Sequence, residues 1–211
     1  MVAAGAVLIL SALLLFLFNS YEDRQAGQEA QILLQEVQAA IPAQTVPPVS
    51  EPPRQTQSAE TLPEETLSES FPLPTETLPP ELPEVEIQGY GYVGWLSIPD
   101  IELELPVLSQ WDDAMLKTAP CRYSGSVAGG DLIIMGHNYK SHFTPLNRAA
   151  VGDGVTFTDA AGQAHGYTVT KIETLHKSQL EDLTGTDYPL TLFTCTYGGQ
   201  NRLVLRCEMA E

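Results

Sequence analysis

Thr191-Leu192-Phe193-Thr194-Cys195-Thr196-Tyr197-Gly198-Gly199-Gln200-Asn201-Arg202-Leu203-Val204-Leu205-Arg206 is the stretch on which the reading of this chain turns. Its first four residues are β-rich and apolar and lead straight into a lone cysteine, Cys195. A Tyr-Gly-Gly turn follows, and then a second strand over Arg202 to Arg206. If the two strands pair as a hairpin, the thiol stands at the end of one and Arg202 at the start of its partner. A cation beside a thiol favours the thiolate, which is the nucleophilic form.

Fifty-eight residues upstream, His137 ends another apolar strand, Leu132-Ile133-Ile134-Met135-Gly136. A cysteine, a histidine and an arginine at strand ends point to acyl transfer through a thioester. The plain alternative is a buried structural cysteine and a turn histidine. Of the four histidines, His165 and His176 lie in or beside strands, and His142 lies in a loop. His137 is set apart by its strand and by Gly136, which allows a close backbone approach.

Composition divides the chain into unlike parts. Of 27 acidic residues, 13 lie between 20 and 89, against only Arg24 and Arg54. With a formal net charge of −17, the chain would repel a polyanion, so no nucleic-acid partner is expected. Three cysteines are too few for a disulfide-built module, and hydrophobic packing must hold the fold. Cys121 and Cys207 are read as small apolar residues, with pairing left open.

Val2 to Phe18 is an apolar run broken only by Ser11, and about 1.5 Å per residue gives it about 26 Å. It reads as an uncleaved transmembrane helix (1–20) in contact with membrane lipid through residues 2–18, longer than a signal-peptide core and without a clear cleavage site. The expected location is the cell membrane, single-pass, with the acidic remainder extracytoplasmic. Residues 21–41, with Ile32, Leu33 and Val37 at helical spacing, read as a solvated stalk helix ending before Pro42. Residues 42–88 follow as a disordered linker: 11 of the 16 prolines fall between 42 and 84, interleaved with Glu, Thr and Ser. At about 3.1 Å per residue such a tether reaches on the order of 130 Å.

The remaining 89–211 suffice for one compact domain. Strands are expected over 93–98, 101–107, 131–136, 155–158, 167–174, 191–195 and 202–206. Short helices are expected within 111–118, after Thr144 with Pro145 at its first position, and over 178–183. Seven or eight strands with little helix imply an all-β closed barrel, which leaves no exposed edge. Glu102 and Glu104 share a strand face but are read as solvated, and neither a metal nor another cofactor is assigned.

The string Thr191 to Cys195 matches the TLxTC signature of sortases, the membrane-anchored cysteine transpeptidases of Gram-positive bacteria. Gly136-His137-Asn138 resembles their histidine motif, and Arg202 falls where they place their arginine. The resemblance covers roughly 90–208, and it implies an eight-stranded sortase-like β-barrel. It implies cleavage of an LPxTG-like C-terminal sorting motif on surface proteins and transfer of the acyl group to a cell-wall precursor or pilin amine. Carried over, Cys195 attacks, His137 moves protons, Arg202 holds the oxyanion, and Thr194 and Asn138 contact substrate.

On subclass, GHN and TCTY resemble class B. The short interval from Leu175 to Pro189 and the lack of class C lid and C-terminal features favour class D or an unassigned housekeeping-like group. An L,D-transpeptidase would want Gly at 194 and Arg at 197, where this chain has Thr and Tyr. A papain-like peptidase would put its cysteine early on a helix. A non-catalytic, membrane-tethered binding barrel is the alternative of another kind.

Overall fold

The computed structural model describes residues 2–41 and 83–210. The expectation of a disordered linker over 42–88 therefore falls largely outside the described residues. Helix α1 runs unbroken over Val2–Ala40. Among the described residues nine strands follow: β1 (Val85–Ile87), β2 (Tyr90–Ile98), β3 (Leu103–Leu108), β4 (Cys121–Ser124), β5 (Leu132–Gly136), β6 (Gly154–Asp159), β7 (Ala164–His176), β8 (Leu190–Cys195) and β9 (Asn201–Met209). A single helical turn, α2 (Met115–Thr118), lies between β3 and β4, and short 3-10 turns occupy Pro99–Ile101, Thr144–Arg148 and Leu180–Leu183.

The strands pair in the order β1-β2-β3-β4-β5-β8-β9-β7-β6, and β2 also pairs with β6. That last pairing closes the eight strands β2 to β9 into a barrel, with β1 added to the first residues of β2. Closure removes the unpaired edges that an open sheet of this length would present. The barrel interior is filled by alternate residues of neighbouring strands: Leu132 and Ile134, Leu190 and Leu192, Leu205 and Cys207. A period of two sends the intervening residues outward, and Ile133, Phe193 and Val204 accordingly form a separate cluster with Leu183 on the outer face.

Two expectations change. β1 and β4 lie outside the expected strands, because Val85–Ile87 borders the acidic linker and Cys-Arg-Tyr-Ser carries too little apolar alternation to stand out. Residues 21–41 do form a helix, but they are no solvated stalk: Ala26, Ala30, Leu33, Leu34 and Val37 are buried, as is Ile41 just beyond the helix. Their spacing makes one stripe along α1. Leu33, Val37 and Ile41 pack with Tyr92, Leu108 and Cys121, while Ala30 joins the barrel core. Helix and barrel form one compact unit.

The first half of α1 carries the anchor expectation. Leu13 to Phe18 are each more than half exposed. Among the described residues, however, no helix is long and apolar enough to cross a membrane. The cysteines Cys121 and Cys207 are free and buried in different clusters.

Candidate active site

β5 and β8 run parallel, with Gly136 paired to Thr194, and β8 and β9 run antiparallel, with Cys195 paired to Arg202. The next residue past the first pair brings His137 beside Cys195, on strands about 4.8 Å apart. The three residues therefore form a row across β5, β8 and β9. Alternation settles their face. Cys195 keeps step with Phe193, Arg202 with Val204, and His137 with Ile133, all on the outside of the barrel.

The histidine's backbone is fixed from both sides. Phe143 N–H donates to the His137 carbonyl at 3.1 Å, and the Phe143 ring lies against Gly136 so closely that a Cβ there would stand 2.4 Å from it. Gly136 is thus required by close approach. The Tyr139 ring stacks on the imidazole at 3.9 Å between centroids, and His142 meets Tyr139 edge-on. Burial lowers the His137 pKa, the Lys117 ammonium lowers it further, and Glu22 on α1 opposes both.

Arg202 spends one guanidinium nitrogen on the carbonyls of Gly199 and Asn201, at 3.0 and 3.1 Å. These bonds hold the guanidinium against the turn that follows Cys195. Arg206 has a different position: it is buried, pairs with Glu173 at 2.9 Å, and donates to the carbonyls of Asp182 and Leu183 and to the Thr191 hydroxyl. Its partners lie on β7 (Glu173), on β8 (Thr191) and in the β7–β8 connection (Asp182, Leu183), away from the row of His137, Cys195 and Arg202. Thr194 is turned inward, almost fully buried, and its hydroxyl donates to the Gly136 carbonyl at 2.8 Å. The substrate contact expected of it gives way to a tie between the two strands that carry Cys195 and His137. Asn138 is half-buried, and its carbonyl accepts the Thr144 hydroxyl at 2.7 Å.

Several residues near this row carried no signal strong enough to select them from sequence. Trp111 stacks on Tyr123, and Tyr123 meets Phe193 edge-on, giving an aromatic strip on the outer face that leads toward Cys195. Tyr197, two residues past the cysteine, is fully exposed. Tyr139 sits two residues after His137, and the bend at Asn138 brings its ring onto the imidazole. Among the described residues no group of histidine, cysteine and carboxylate side chains is suited to hold a metal ion.

A family model described as a Sortase domain matches residues 96–210, more than half of the chain. The chain belongs to the sortase family. Among solved structures this sortase resembles sortase C1 from Streptococcus agalactiae, at 32% identity over 60% of this chain and 71% of that one, with a TM-score of 0.52. It also resembles sortase A from Corynebacterium diphtheriae, at 25% identity over 58% of this chain and 62% of that one, TM-score 0.52. A third is sortase C of Clostridium perfringens with the C-terminal cell wall sorting motif, at 25% identity over 57% of this chain and 71% of that one, TM-score 0.51. No curated protein matches the sequence. Like its family, this sortase is a cysteine transpeptidase.

Proposed function

We propose that this sortase cleaves an LPxTG-like sorting motif near the C-terminus of surface proteins and transfers the acyl group to a cell-wall precursor or pilin amine. The observation that carries the reading is the row His137, Cys195, Arg202 across three adjacent strands. As the Cys195 thiol gives up its proton to the neutral His137 imidazole, the sulfur adds to the Thr carbonyl carbon of the Thr–Gly bond. The carbonyl electrons move onto oxygen, where the Arg202 guanidinium balances the charge. As the tetrahedral intermediate collapses, the C–N bond breaks and His137 gives a proton to the departing glycine amine. The thioester then meets an incoming amine, which yields its proton to His137 as nitrogen attacks; the C–S bond breaks, and the leaving Cys195 sulfur takes that proton back from the imidazole. A lowered His137 pKa keeps the imidazole neutral between turnovers, which suits it to take that second proton.

The strip Trp111, Tyr123, Phe193 offers an apolar wall for the Leu-Pro part of the motif. The structure of the Clostridium perfringens enzyme with the C-terminal cell wall sorting motif supports a peptide of this kind. Thr194 serves by joining strands, and Asn138 lies close enough to the histidine to border the bound peptide. The absence of any long insertion between β7 and β8, where only Leu180–Leu183 turns, supports a class D-like assignment. The exposed apolar side chains from Leu13 to Phe18, together with Val7, Ile9 and Leu10, support an anchor in the cell membrane, and the acidic remainder of the chain suits the outside of the cell. The deciding experiment incubates the chain with an LPxTG peptide and hydroxylamine. A hydroxamate product requires a thioester, and no product from any peptide of this type would leave the binding-module alternative.

A further inference from the structure

The second half of α1 approaches the loop that carries His137. The Asp23 carboxylate accepts hydrogen bonds from the Ser141 backbone N–H and hydroxyl, both at 3.2 Å, and the Ser141 hydroxyl also reaches the Asp23 carbonyl at 3.0 Å. One turn further along, Gly27 faces the same serine so closely that a Cβ would stand 2.7 Å from the Ser141 Cβ. Ala26 beside it is buried. Four residues on, Ala30 enters the barrel core, so this contact is continuous with the packing that holds the whole helix.

The loop itself transmits that contact. His142 N–H and Thr144 N–H both donate to the Tyr139 carbonyl, and Phe143 N–H donates to that of His137, so residues 137–144 form one internally bonded turn. Tyr139 lies between the two histidines, stacked on one and edge-on to the other. A shift of Ser141 therefore reaches the imidazole through two packed rings and a bonded backbone.

We propose that Asp23 and Gly27 of α1 are positioning residues for this sortase's histidine, holding His137 in its working orientation through Ser141 and Tyr139. The inference rests on the catalytic role given to His137 above. It makes the helix that leads from the apolar N-terminal run part of the catalytic apparatus, so that attachment and catalysis share one element. The charged and titratable groups facing the ring region are Glu22 and Asp23 from α1, Lys117 from α2, and Tyr139 and His142 from the loop itself. An approximately 180 Å³ cleft bordered by Glu22, Glu29, Lys117 and Tyr139 lies beside this contact, so Ser141 is where α1 meets the His137 loop directly.

The test uses the full chain carrying Asp23→Ala, Asp23→Asn or Gly27→Leu. Peptide turnover is measured with an LPxTG peptide and hydroxylamine, and His137 is followed by NMR of its ring proton through a pH titration. Asp23→Ala should lower kcat about 10-fold with little change in KM, as displacing a catalytic group by a fraction of an ångström does. Asn keeps the accepting oxygen and should restore most of the rate. Gly27→Leu wedges the helix off Ser141 and should cost more than Asp23→Ala. In both damaging variants the His137 midpoint should rise toward that of an exposed imidazole, because the ring loses cover. Alkylation of Cys195 should keep its wild-type rate, since the other two thiols are buried and the sulfur is untouched. Should the wild type turn over while Asp23→Ala and Gly27→Leu alter neither kcat nor the titration, the proposal is overturned. Titration midpoints that move as stated while no peptide is turned over, even by the wild type, uphold the positioning and instead refute the substrate reading.

Discussion

His142 is fully buried and neither ring nitrogen has a hydrogen-bond partner. Burial pushes its pKa down to about 4, with the positive potential of His137 adding to the effect and the Ala26 backbone and Asp23 opposing it. In the unfolded chain the same ring titrates near 6.5. Between those two values the unfolded state binds a proton that the folded state refuses. The associated stability is complete above pH 6.5 and is lost as the pH falls toward 4. At about 1.4 kcal/mol per pH unit the total is about 3 kcal/mol, of which about 2 kcal/mol is gone by pH 5. His142→Phe keeps a ring edge-on to Tyr139 but cannot take up the proton. Urea denaturation of both chains at pH 7.5, 6 and 5 should show the wild type losing about 2 kcal/mol more than the variant over that range. At pH 7.5 the variant should be no less stable, since it removes two unpartnered buried nitrogens. The reasoning fails if the two stability curves run parallel from pH 7.5 to 5. His137 and the carboxylates titrate in both chains and so cancel in the comparison.

The two arginines should separate chemistry from stability. Arg202→Ala should cut turnover by on the order of 10²-fold, as loss of an oxyanion donor does, while leaving the urea midpoint nearly unchanged. Arg206→Ala leaves Glu173 with Lys171 alone and strips the Asp182 and Leu183 carbonyls of their donor, and should cost about 3 kcal/mol of stability on the same measurement. Cys195→Ala should abolish hydroxamate formation, and His137→Ala should reduce it nearly as far, each in a chain whose circular dichroism matches the wild type. Gly136→Ala places a methyl within the Phe143 ring and should destabilise by about 1–3 kcal/mol in urea, with a fall in kcat because the strand end carrying His137 must move.

What the sequence disclosed depended on whether a signal was local. Strand β8 and the hairpin to β9 were legible because Thr-Leu-Phe-Thr and Leu-Val-Leu carry strong β-propensity on either side of a Gly-containing turn. The ends of α1 were legible from helical spacing and from Pro42. Its docking was not. A stripe built from Ala26, Ala30, Leu33 and Val37 has small residues at two of four positions, and its apolar content looks too modest to need a partner surface. Small residues mark close approach, which is how Gly27 meets Ser141, but that meaning emerges only when the opposing surface is known. Thr194 failed as a substrate contact for a similar reason. Strand alternation fixes which face each residue takes, yet the choice of inner or outer face required the register of β5 against β8.

The placement of the row on the outer face has its own consequence. Inside the barrel, Ile134, Leu192 and Leu205 supply the packing that holds β5, β8 and β9 together. One residue away on each strand the side chains face outward, so the same three strands carry core on one surface and chemistry on the other. The charged Arg202 guanidinium is thereby spared the cost of entering the core, and the backbone ladder beneath keeps the spacing of the row. The one place where this separation is crossed is Thr194, an inward residue whose hydroxyl closes the gap between β8 and β5 at 2.8 Å. Thr194→Val removes that bond, strands the Gly136 carbonyl and should cost about 1–2 kcal/mol in urea. Because the tie lies one residue from both Cys195 and His137, kcat should fall as well. Full turnover in Thr194→Val would mean that the ladder alone sets the distance between sulfur and imidazole.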